Sequence, residues 1–180
     1  MEVNASMVEI NVLAVIDTEY VKKNYPNPSQ DASNPTGIDH ASEYLLVTGA
    51  RGDVSGQGTA DLSFRANVGD LVAFTGTSIY ANSDDAVIVY GITYQTGDRV
   101  FNQFVSNLEV RTGAVMPNPD VNNGIPPLNQ EITFSNYSST VKQAGSEHFI
   151  VSFALYTLDS SGENQTLYGY YCWDPAITVS

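Results

Sequence analysis

HFIVSFALYTL (148–158), DSSGEN (159–164) and LYGYYCW (167–173) together decide the fold class. In the first run Phe149, Val151, Phe153 and Leu155 share one face while Ile150, Ala154 and Tyr156 occupy the other. A period of two with apolar residues on both sides describes a strand buried on both faces, hence a central one. The six turn-forming residues that follow, and the aromatic-rich run after them, complete a hairpin. Asp174-Pro175 then breaks the pattern, and 177–179 returns as a short edge strand.

Working outward, the same period recurs. Residues 8–16 alternate and then become apolar on both faces, which suits a strand entering the middle of a sandwich. Further strands are expected at 44–48, 60–66, 71–79, 86–94 and 108–115, rich in Val, Ile, Tyr and Thr. The Gly-rich segment 49–58 reads as a flexible connection, and 67–70 as a hairpin or tight corner. The nearest approach to a helix is one turn at 19–24, stopped by Pro26.

Two connections are unusually long. Residues 17–39 carry NYPNPSQDASNPTGID, and residues 116–130 hold four of the eight prolines. Loops of that length are commonly functional, and both fit crossovers between sheets. About ten strands with such crossovers predict an all-β fold, a β-sandwich or jelly-roll-like domain over 1–180 with two long Pro/Asn-rich loops.

A chain of 180 residues buries roughly 70% of its unfolded surface, enough for a core without covalent help. The single cysteine, Cys172, excludes an intrachain disulfide and reads as a buried, inert thiol. Twenty acidic residues against seven basic ones, net −13, oppose phosphate contacts and exclude nucleic acid and anionic membrane as partners. The start of the chain lacks a basic region before its apolar run, and no apolar stretch reaches the roughly 20 residues that span a bilayer. A soluble, cytoplasmic protein without membrane insertion is expected, any export being independent of a classical signal peptide. Sequons at Asn4, Asn136 and Asn164 matter only in a glycosylating pathway.

Catalytic signals are weak. Only His40 and His148 could serve a nucleophile, and no G-x-S-x-G elbow exposes a serine. The glycines of 52–58 lack the P-loop lysine and a following helix. Arg51-Gly52-Asp53 spells an adhesive tripeptide of the kind short chains contain by chance. Asp17 and Glu19 could be hydrolytic carboxylates, but sequence spacing does not fix their separation.

Binding signals are stronger. Asn118, Asp120 and Asn122 place oxygens at alternate positions, and Asp84-Asp85 are adjacent carboxylates that a cation would relieve. Asp84, Asp85, Asn118, Asp120 and Asn122 are therefore the metal candidates, with Ca²⁺ as the ion suited to oxygen ligands. Tyr168, Tyr170, Tyr171 and Trp173 crowd the last long strand, and aromatic faces bind sugar rings. Tyr25, Asn27, Asp39 and His40 on the first loop, with Asp120 and Asn122 on the second, form the candidate ligand-binding set.

Several segments are similar to a known family: Ile16-Asp17-Thr18-Glu19, Asn24 to Ser29, Asn34 to Ile38, Gly56 to Leu62, Asp84 to Val87, Tyr168 to Tyr170 and Trp173 to Pro175. In combination they resemble the PixA/AidA inclusion-body proteins of bacteria over nearly the whole chain. The resemblance implies a small soluble bacterial protein, abundant under quorum or stationary-phase control in some members, stored in cytoplasmic crystalline inclusions in others and associated with host interaction. It implies no catalytic residues. PixA is described as methionine-rich, whereas this chain has three methionines, which speaks against methionine storage. The expected function is a non-enzymatic inclusion-body or accessory protein of the PixA/AidA type, acting through homo-oligomeric self-association or ligand recognition. The alternative is a Ca²⁺-dependent, lectin-like module that binds glycans.

Overall fold

A computed structural model describes residues 6–180, so the Asn4 sequon lies outside the described residues. In chain order the elements are β1 (Glu9–Ile16), α1 (Thr18–Asn24), β2 (Thr36–Gly37), β3 (Glu43–Thr48), β4 (Val54–Ser55), β5 (Leu62–Phe64) and β6 (Leu71–Ser78). There follow β7 (Ala86–Gly97), β8 (Val105–Met116), β9 (Leu128–Thr140), β10 (Gly145–Leu158), β11 (Gln165–Trp173) and β12 (Ala176–Val179). They build two sheets, one ordered β3-β1-β6-β9-β8, the other β2-β11-β10-β12-β5-β4 with β7 also on β10. The fold is an all-β sandwich with no barrel closure.

Alternation places the core. Ile10, Val12, Ala14 and Ile16 of β1, with Leu45, Val47, Val72 and Phe74 of its neighbours, meet Phe149, Val151, Phe153, Leu155, Tyr171 and Trp173 of the other sheet. Phe153 stacks on Tyr171 and meets Trp173 edge-on. The central position expected for 148–158 is observed: β11 flanks β10 on one side and β7 on the other. Its outer face is half-buried, with Ala154 alone fully covered.

The first long loop does cross between sheets. It leaves β1, forms α1 under the Asp17 cap, lays Ser29 and β2 against β11, and returns to β3 beside β1. Asp17 accepts from the Tyr20 N–H, and Glu19 at the start and Lys22 and Lys23 at the end suit the helix dipole. The loop packs closely, since a Cβ at Gly169 would collide with the Pro28 ring.

Four expectations need correction. The second long loop is no crossover: β8 and β9 are antiparallel neighbours in one sheet, and residues 117–127 turn the end of their hairpin. Strand β9 itself escapes the apolar count because Ser135, Asn136, Ser138 and Ser139 fill it, and its first half is exposed on both faces. Strand β12 is not an edge. Asp174-Pro175 is a break in one line along β10, and β5 covers the far side of β12.

The segment 49–58 is not a loose connection. The Gln57 side chain accepts from the Val47 N–H at 2.8 Å and donates to the Val47 carbonyl at 2.7 Å. Gly58 donates to Leu45 O, and Leu45 donates to Thr59 O, each at 2.8 Å. Gly56 turns the chain at φ +81°, where a Cβ would strike the Asp61 carbonyl. The outer edge of β3 is thereby sealed.

Candidate functional site

The candidates fall into three separate places. In the first, α1 and the returning loop meet the end of β11. Tyr25 Oη accepts from the Asp39 N–H at 2.9 Å, and Tyr20 Oη donates to Asp39 Oδ2 at 3.1 Å. His40 lies between two carboxylates, its Nε2 3.0 Å from Asp174 Oδ1 and its Nδ1 3.7 Å from Asp61 Oδ2. Partial burial opposes protonation of His40, but the Asp174 hydrogen bond and the surrounding charges of Asp61, Asp174 and Glu43 outweigh it and hold its pKa above the usual value. Tyr25 and Asp39 thus share one set of bonds and His40 belongs to another, the two adjoining through the chain between 39 and 40, whereas Asn27 is exposed outside both.

Beneath these bonds Glu43 is 1% exposed. Burial pushes its carboxyl up to about 7, against the opposing bond from the Ser42 hydroxyl. Its place two and four residues before Leu45 and Val47, on the buried face of β3, is the available signal, and a strand started at 44 leaves it out.

The second place holds Asp85. It is buried, and Lys22 Nζ lies 2.7 Å from its Oδ2 and 2.8 Å from Glu19 Oε1. Burial works to raise the Asp85 pKa, but the Lys22 ammonium prevails and holds it below the usual range. An ammonium thus occupies the place a cation was expected to fill. Asp84 stays exposed and does not share the pair. The arrangement fastens α1 to the turn between β6 and β7.

The third place is the tip of the β8–β9 hairpin. Asn118 Oδ1 accepts from the Asp120 N–H at 3.0 Å, and Asn123 Oδ1 from the Ile125 N–H at 3.1 Å, so side-chain oxygens close turns of the backbone. Asp120 and Asn122 line an open depression of about 470 Å³. No group of three or more His, Cys, Asp or Glu side chains able to hold a metal occurs among the described residues.

Other sequence candidates have structural employment. Tyr171 and Trp173 lie in the core, Tyr170 meets Tyr90 edge-on, and Tyr168 donates to Pro26 O. Arg51 of the tripeptide binds Asp70 through two nitrogens at 2.6 and 2.7 Å. Cys172 is half-buried rather than buried, on the outward side of β11, where burial and Asp174 push its thiol up.

The feature that sequence reasoning missed is the hairpin itself. β9 pairs with β6 only through residues 137–140, and beyond them β8 and β9 project as a two-stranded arm. The hairpin exposes Val105 at its base and Leu108, Val110, Val115, Leu128 and Phe134 along the arm, with Leu108 75%, Val115 68% and Phe134 51% accessible. Where it diverges from β6 it leaves a cleft of about 690 Å³ lined by Thr75, Gly76, Ile88, Leu108 and Phe134. The placement of Phe134 between Thr133 and Ser135, with Ile132 next on the same face, was the available signal.

A family model described as PixA, inclusion body protein, matches residues 8–179. The chain belongs to the PixA inclusion body protein family. A crystal structure of the PixA inclusion body protein from Burkholderia cenocepacia J2315 is similar at 34% identity, with a TM-score of 0.85 and 100% of both chains covered. No curated protein matches this PixA-family chain. The family's description names inclusion bodies and no reaction. No helix among the described residues is long and apolar enough to cross a membrane.

Proposed function

We propose that this PixA-family chain works by self-association, as a non-catalytic building unit of inclusion-type assemblies, and that the β8–β9 arm is its joining surface. The observation that carries this reading is the arm's run of exposed large apolar side chains. Apolar residues scattered singly on a surface are ordinary, but this hairpin carries large ones on both faces, Leu108, Val110 and Val115 on one and Val105, Leu128 and Phe134 on the other, and a two-stranded ribbon apolar on both sides is the kind of surface that marks an interaction site. The arm contributes little to the core, so its length and apolar content answer to something other than folding.

Sedimentation velocity over a wide concentration range tests the reading. The wild-type chain is expected to associate, and a variant with Val105, Leu108, Val115 and Phe134 all changed to lysine is expected to stay monomeric and, at dilutions where both are monomeric, to melt at the wild-type temperature. A wild-type chain that remains monomeric throughout overturns it.

A further inference from the structure

We propose that two copies of the chain join β8 to β8, antiparallel, about a two-fold axis at Leu108. This rests on the self-association reading and gives that surface a partner and a register.

The sheet that carries the arm ends at β3 and at β8. The β3 edge is closed by Gln57, Gly58 and Thr59, while β8 pairs with β9 alone. An edge strand left this way presents a row of backbone N–H and C=O groups that another strand can satisfy. The register of β8 against β9 shifts between Arg111 and Ala114, so the regular segment is 105–111. Pairing that segment with itself about residue 108 matches Val105 with Arg111, Ser106 with Val110 and Asn107 with Glu109 of the second copy. Every residue of the regular segment finds a partner, and none reaches the bulge.

Side chains favour the same choice. Leu108 is the most exposed large apolar side chain among the described residues, and the axis would set it against its own copy. Val110 shares its face and falls diagonal to the second Leu108, giving a four-membered apolar cluster. Charge points to a second copy of this chain as the occupant. At −13 the protein repels itself, yet β8 carries one acid and one base, Glu109 and Arg111, bonded to each other at 2.6 Å. The strand edge is therefore a neutral place of approach, and a two-fold contact is complementary to itself by construction.

The test uses the full chain with Cys172→Ser and single cysteines at positions 106, 108 and 110. Leu108→Cys is expected to cross-link to itself under oxidation or with a short bis-maleimide. Ser106→Cys and Val110→Cys are expected to cross-link to each other when mixed, and far less when alone. Leu108→Lys, which brings two ammonium groups together on the axis, is expected to weaken dimerisation by about tenfold or more while leaving the melting temperature of the dilute, monomeric protein unchanged. A dimer in which Leu108→Cys fails to cross-link, or whose affinity Leu108→Lys leaves unchanged, overturns this pairing while leaving self-association intact. A chain that never dimerises overturns both.

Discussion

The side-chain amide of Gln57 bonds to both backbone groups of Val47, standing in for the strand that β3 lacks on its outer side. Gln57→Ala is expected to lower stability by about 1–3 kcal/mol, because it strips partners from half-buried backbone groups. It is also expected to expose a second pairing edge. Urea unfolding measures the first effect, and light scattering of the folded variant measures the second. A Gln57→Ala protein as stable and as dispersed as wild type would show that the seal is dispensable.

Stability should peak in mildly acidic solution. Glu43 titrates at about 7 in the fold against an ordinary 4.5, so between those values the folded chain keeps a proton that the unfolded chain has released. Its effect on stability is absent below 4.5 and grows unfavourable as pH rises to about 7, amounting to about 3 kcal/mol. His40, held above its usual pKa, also contributes stability that is lost as pH rises through its raised value. Asp70 has the opposite sign. Its two bonds from Arg51 hold it at about 2 against 3.8, so its contribution is complete above 3.8 and lost as pH falls toward 2. Unfolding free energies across pH should fall on both sides of roughly pH 4–5. Glu43→Gln should flatten most of the neutral-side slope.

Removing Lys22 should be worse than removing the pair. Lys22→Met leaves Asp85 buried without its cation, an expected loss of about 3 kcal/mol. The double variant Lys22→Met with Asp85→Leu should recover a substantial part of that loss. A double-mutant cycle by chemical denaturation measures the coupling, and purely additive effects would contradict the pairing seen at 2.7 Å.

Calcium should leave the arm tip unchanged. Oxygens of Asn118 and Asn123 already accept from backbone N–H groups, and Asp120 is the one carboxylate beside them. Titration calorimetry is expected to record no calcium binding, and chelator no change in melting temperature. A saturable calcium isotherm lost on Asp120→Asn would reverse this.

Much of the sandwich was legible because its central strands obey a two-residue apolar period. β1, β6, β7, β10 and β11 all show it, and β10 carries it unbroken from Phe149 to Leu155 on the buried face. β9 was illegible for the opposite reason: a strand that leaves the sheet has no buried face to write into its sequence. β12 was misplaced because a proline break looks the same at an edge as in the middle of a line. Within the first loop, Tyr25 bonds to Asp39, while His40 beside it pairs elsewhere. The partner of His40 is 134 positions away, and no local pattern could name Asp174. Asp85 was recognised as a carboxylate in need of a cation, but that cation came from α1, which the sequence suggested only as a single turn.

One finished edge and one unfinished edge give the arm-bearing sheet a valency of one. A two-fold junction at β8 satisfies both copies at once and offers nothing for a third, so β-pairing of this kind stops at two and cannot propagate into a fibre. Three-dimensional order would then need different contacts, made by the strongly acidic remainder of the surface and sensitive to counter-ions. Pairing and lattice growth become separately adjustable steps, and salt should act on the second far more than on the first.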